Sequence, residues 1–224
     1  MSNRFPFDAV IFDMDGVIVD TEAFYQDQER QFADELGLPV GDDEILALVG
    51  QSHQVFLATL VDWFSRAGRE LSGEEAEREF RAWSALHPCD YPSILNPGVA
   101  ETIDELHARG VRVALASSSP LESIRAVLAA CGLEGRFEVV VSGADFVESK
   151  PNPAIYRHTV ECLGLPVSAC CCIEDSVPGI TAGKRAGLTV FAKREDRFGF
   201  SQDAADAVID EIPDVLTAAC AFAG

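Results

Sequence analysis

AVIFDMDGVIVD, residues 9–20, begins as an apolar run fit for a buried strand, meets two carboxylates at Asp13 and Asp15, turns at Gly16 and becomes apolar again. Taking an ionised carboxylate out of water is costly unless something compensates its charge. A chain that does so twice within three positions uses those acids. Strand side chains alternate faces, so Asp13 and Asp15 share one side if the extended geometry holds up to the turn. In open α/β sheets ligands bind beyond the carboxyl ends of the strands, and the stretch predicts both acids at such an end. Gly16 permits a sharp turn and a close backbone approach to a ligand.

Outward from this stretch, residues 99 to 209 alternate short apolar runs with amphipathic segments of helical length. Strands are expected at 111–116, 138–142, 170–173, 188–192 and 207–209, and helices at 99–109, 121–131, 154–163 and 179–186. Repeated βα units of this kind predict an α/β fold, a Rossmann-like parallel sheet with helices on both faces, to which 9–12 also belongs. Residues 21 to 89 differ: helical periods dominate at 22–36, 43–49, 55–67 and 73–86, punctuated by Gly37, Gly50, Gly68 and Pro88. We therefore expect a core domain of residues 1–16 and 92–224, interrupted by an all-helical subdomain at 17–91. Trp63, Phe80 and Trp83 fall on helical stripes and are assigned to its interior.

The 224 residues are 48% apolar and carry a formal charge of −20, which excludes disorder and disfavours nucleic acid and anionic membranes as partners. With so much negative charge, any anionic ligand needs a local cation. No apolar run is long enough to span a membrane and charge interrupts the N-terminus early, so a cytoplasmic location is expected. Seven cysteines without a C-x-x-C pair fit reduced thiols, and Cys170-Cys171-Cys172 reads as part of a buried strand.

Three more strand ends carry chemistry. The run at 113–116 leads into Ser117-Ser118-Ser119-Pro120, hydroxyls and free N–H groups that suit an anion. The loop after 139–141 ends at Lys150, a point charge of the kind that binds phosphate. The cysteine strand ends in Glu174-Asp175. Taken singly, the serines could be a helix cap, the lysine a solvated side chain and the acid pair a helix-start dipole complement. Gathered at one sheet edge, four carboxylates, a lysine and a hydroxyl suit Mg²⁺ with a phosphorylated ligand. A calcium loop is excluded, because VIVD follows where further oxygen donors would be needed.

Asp13-Met14-Asp15-Gly16-Val17, Ala116-Ser117, Lys150-Pro151 and Glu174-Asp175-Ser176 resemble, in order and spacing, the four motifs of the haloacid dehalogenase superfamily. The helical insert is similar to the cap of the subgroup that contains β-phosphoglucomutase and many small-metabolite phosphatases. The resemblance implies Mg²⁺-dependent phosphoryl transfer with Asp13 as nucleophile, through an aspartyl-phosphate. It implies Asp15 as acid and base, Ser117 and Lys150 as holders of the phosphoryl oxygens, and as metal ligands Asp13 and Asp175 by their side chains, Asp15 by its carbonyl, and Glu174 directly or through water. Gly16, Ser118, Glu22 and His53 are candidate substrate contacts, and Asp20 and Thr21 candidate helix caps.

Mutases of this kind place a histidine in the first cap helix and an arginine in the cap loop, where this sequence has Tyr25 and His53. The expected activity is therefore hydrolysis of a small phosphorylated metabolite, a sugar phosphate first, by a monomer or weak homodimer. A β-phosphoglucomutase-type transfer and a non-catalytic protein that binds metal or phosphate are the alternatives.

Overall fold

A computed structural model describes residues 5–48 and 53–222, with the His53 side chain outside the description. The chain forms two compact units: the larger takes residues up to Asp20 and from Tyr91 onward, the smaller Thr21–Asp90. The smaller unit consists of α1 (Thr21–Leu36), α2 (Asp42–Leu46), α3 (His53–Arg66) and α4 (Gly73–Ser84). Its helices hold because they share one aromatic interior. Phe32, Trp63 and Phe64 are fully buried, and Phe32 meets Phe80 and Trp83 edge-on at 5.0 and 5.4 Å. Trp63 is thus interior, and Phe80 and Trp83, half-buried, pack against the same core. At the start of α4, Ser72 accepts from the Glu75 N–H at 3.3 Å while Glu75 accepts from the Ser72 N–H at 2.8 Å, a reciprocal cap that fixes where the helix begins.

In the larger unit β1 (Ala9–Phe12), β2 (Arg112–Ser117), β3 (Val139–Ser142), β4 (Cys170–Glu174), β5 (Thr189–Lys193) and β6 (Ala207–Ile209) form one parallel sheet among the described residues, ordered β3-β2-β1-β4-β5-β6. The strand order reverses direction at β1, which pairs with β2 on one side and β4 on the other. Alternation along the strands splits the core. Val10 and Phe12 face α5 (Val99–Ala108), α6 (Leu121–Ala130) and, through Val215, α9 (Val215–Ala218). Ala9 and Ile11 face α7 (Ala154–Leu163) and α8 (Val177–Ala186). Both faces are therefore covered, as an all-parallel sheet requires. Cys171 packs with the first face, Cys170 and Cys172 with the second, and all three are free thiols. Burial pushes the Cys170 thiol up to about 11 and those of Cys171 and Cys172 well above their ordinary range, so they pack as small apolar side chains. No described helix is long and apolar enough to cross a membrane.

Two expectations need correction. Residues 17–19, assigned to the insert, belong to the larger unit: Val17, Ile18 and Val19 are all fully buried in its core, as three consecutive apolar residues must be somewhere. The chain there folds back on itself, Gly16 N–H donating to Val19 at 2.7 Å and Asp20 N–H to Ile94 at 2.8 Å. Tyr91, also assigned to the insert, packs against the same core. The helix expected at 43–49 ends at Leu46, and Val49 lies outside the described residues.

Candidate active site

The site grows from the carboxyl ends of β1, β2 and β4, around the point where the strand order reverses. Asp13 follows β1 directly and extends its pairing, its N–H donating to the Ile173 carbonyl at 3.0 Å. Glu174 is the last residue of β4 and Asp175 follows it. Register therefore brings two sequence-distant acidic pairs side by side. One carboxylate oxygen each from Asp13, Glu174 and Asp175 lie within 4.8 Å of one another, and all three residues are buried. Lys150, with its side chain buried, donates to Asp13 Oδ1 at 2.5 Å, to Glu174 Oε1 at 2.6 Å and to the Ala116 carbonyl at 3.2 Å.

Gly16 fits this corner for two reasons. Its φ of 80° lies in the left-handed region, and a Cβ there would overlap the Asp175 carboxylate. The turn is held by Asn96, whose Nδ2 donates to the carbonyls of Gly16 at 3.0 Å and Val17 at 2.9 Å. Asn96→Ala leaves both buried acceptors short of a donor and is expected to lower stability by about 1–3 kcal/mol in urea unfolding. A loss below about 0.5 kcal/mol would show that the turn stands without it.

Asp15 sits where β2 ends. It accepts from Ser119 Oγ at 3.1 Å and, more weakly, from Ser117 Oγ at 3.5 Å. Ser117, the last residue of β2, is buried and also accepts from the Ser119 N–H at 3.1 Å. Ser118 is exposed. Glu22 lies in the first turn of α1 and His53 opens α3, both in the smaller unit. Asp20, expected as a helix cap, gives both carboxylate oxygens to Arg197 at 2.9 Å each.

Charge is unevenly matched here. Burial first, then the Glu174 and Asp15 charges, push the Asp13 carboxyl up to about 8 against the pull of Lys150. Burial, then the charges of Asp13 and Glu174, also hold the Asp175 carboxyl well above its ordinary range. For Lys150, burial favours loss of the proton, but the Asp13 and Glu174 carboxylates outweigh it and keep the ammonium charged. Crowding adds to burial here, because three clustered carboxylates share one ammonium. In addition, Glu174 Oε2 is buried without a hydrogen-bond partner. A hard divalent cation satisfies both deficits, and the oxygen-only donor set suits Mg²⁺.

Four residues support these groups, and of them the sequence singles out only Ser119, in the serine run after β2. Ser119 bonds Asp15, and Asn96 holds the turn. Gln202 Nε2 donates to the carbonyls of Asp175 at 2.6 Å and Lys193 at 2.7 Å. Tyr156 donates its hydroxyl to Glu174 Oε1. In Lys150-Pro151-Asn152-Pro153 followed by a helix, Tyr156 falls in the first turn, where the sequence marks it only as an aromatic on a helix face.

The sequence model of the haloacid dehalogenase-like hydrolases matches residues 7–187. The phosphorylated carbohydrates phosphatase of Thermotoga maritima is 31% identical over 183 residues, 81% of this chain and 82% of that protein. The β-phosphoglucomutase of Bacillus subtilis is 28% identical over 183 residues, 80% of each. A crystal structure of a HAD-superfamily hydrolase, subfamily IA, variant 1, from Geobacter sulfurreducens shares the fold with a TM-score of 0.73, at 20% identity over 100% of this chain and 99% of that one. With the family match running from before β1 to past α8, and hence through all four motif-bearing strand ends, this chain belongs to the haloacid dehalogenase-like hydrolases.

Proposed function

We propose that this hydrolase is a phosphatase of small phosphorylated metabolites, sugar phosphates first among them, and that it works through an aspartyl-phosphate. The observation that carries the reading is Lys150 Nζ bridging Asp13 Oδ1 and Glu174 Oε1 at 2.5 and 2.6 Å, with Asp175 in the same cluster and Asp15 two residues on. A buried carboxylate beside a fixed ammonium is a nucleophile with its charge partly compensated. The similarity to a phosphatase of phosphorylated carbohydrates supports the substrate class.

Asp13, Glu174 and Asp175 would hold Mg²⁺ by their side chains, and Asp15 by its carbonyl. When bound, the ion supplies Lewis-acid charge neutralisation between carboxylate and phosphate. In the first half-reaction an Asp13 oxygen attacks phosphorus while Asp15 gives its proton to the departing oxygen. In the second, Asp15 takes a proton from the water that attacks the phosphoryl group on Asp13, and the bond to Asp13 breaks. Ser117 and Lys150 hold the equatorial oxygens. Ser119 keeps the Asp15 carboxyl oriented through its 3.1 Å bond.

A phosphate-release screen over sugar phosphates, phosphoglycolate and nucleotides with Mg²⁺ tests the reading. Sugar phosphates are expected to give the highest kcat/KM, and chelation to abolish release. Isomerisation of glucose 1-phosphate faster than phosphate release would replace it with mutase chemistry. No turnover across the panel would favour a binding protein.

A further inference from the structure

The two oxygens of the Glu174 carboxylate live in different surroundings. Oε1 accepts from both the Lys150 ammonium, at 2.6 Å, and the Tyr156 hydroxyl. Oε2 is buried and accepts from nothing among the described residues. A buried carboxylate oxygen without a donor is unfavourable, so a side chain free to turn would share its donors between both oxygens. Two features prevent that. Tyr156 is fully buried in α7, packed among Ile155, Val160 and Ile180, and its ring carries Lys150 Nζ 5.1 Å from the centroid. Gly179, in α8, lies against the carboxylate so closely that a Cβ at this position would overlap Oε2, Cδ and Oε1 alike, so it holds the whole group in place.

From this asymmetry we infer that Tyr156 and Gly179 are positioning residues for the cation: the missing Cβ makes room for the carboxylate, the hydroxyl loads Oε1, and Oε2 is thereby reserved as a ligand to Mg²⁺. The inference rests on the metal reading of the site and goes beyond it, since it assigns the outcome to two residues that touch neither phosphate nor metal. Hydrogen bonds that orient a ligating carboxylate generally govern metal affinity by a factor of 10–100. A tyrosine present only to fill the core would have no such effect.

Tyr156→Phe separates the two roles, because it keeps the ring and deletes only the hydroxyl. Calorimetric Mg²⁺ titration of the full-length protein, without substrate, is expected to give a dissociation constant about tenfold higher in Tyr156→Phe than in wild type. The Tm of the metal-free protein should hardly move. Gly179→Ala, which crowds the whole Glu174 carboxylate, should weaken Mg²⁺ binding as well. Equal affinity in wild type and Tyr156→Phe overturns the inference and leaves the proposed function standing. A wild type that binds no Mg²⁺ overturns both. A large fall in metal-free Tm with unchanged affinity marks Tyr156 as a packing residue and also overturns it.

Discussion

Asp13→Asn is expected to lower kcat/KM for phosphate release by about 10³-fold or more, equivalent to about 4 kcal/mol of transition-state stabilisation, with no fall in Tm. Asparagine keeps the shape of the side chain and the packing at the end of β1, but its amide oxygen does not form a stable bond to phosphorus. Stability should hold because the removed charge is one the site matches poorly. Burial, then Glu174 and Asp15, already push the Asp13 carboxyl up to about 8, and Lys150 retains its 2.6 Å bond to Glu174. Rapid-quench assays and calorimetry on the same preparation read both halves. Turnover above a tenth of wild type would move the nucleophile elsewhere.

Lys150→Met should do the reverse, damaging the fold as well as the chemistry. Methionine replaces the alkyl stem at similar volume, so what disappears is the ammonium that bridges Asp13 and Glu174. Removing one partner of a buried ion pair leaves uncompensated charge and costs about 3–5 kcal/mol. Urea unfolding in Mg²⁺-free buffer is expected to show a loss of that size, and added Mg²⁺ should raise the Tm of the variant more than that of wild type. A loss under about 1 kcal/mol would mean that the carboxylates do not depend on this cation.

The legible and illegible parts of this chain divide along physical lines. Strand β1 and helix α7 are readable to the residue because a continuous apolar run ending in charge and a proline start are local signals. The acids after β1 and β4 stand out because charge directly following a buried run is costly unless a cation or ligand meets it there. Residues 17–19 mislead because an apolar triplet after a turn looks the same whether it leads into an insert or folds back on the core. Tyr156 looks like any aromatic on a buried helix face, and only Glu174, brought beside it by the fold, makes its hydroxyl matter. Asn96 and Gln202 act on backbone carbonyls, which carry no side-chain signature at all.

The place of β1 at the middle of the sheet also bears on how the protein is made. Ala9 pairs with Arg112 on one flank and with Cys170 on the other, so one flank of β1 stays open during translation until residue 170 has left the ribosome. The strand that closes this flank is the one that delivers Glu174 and Asp175. Prematurely released chains therefore expose an apolar, unpaired strand edge and lack two of the three clustered carboxylates, which makes them prone to aggregate and incapable of partial turnover.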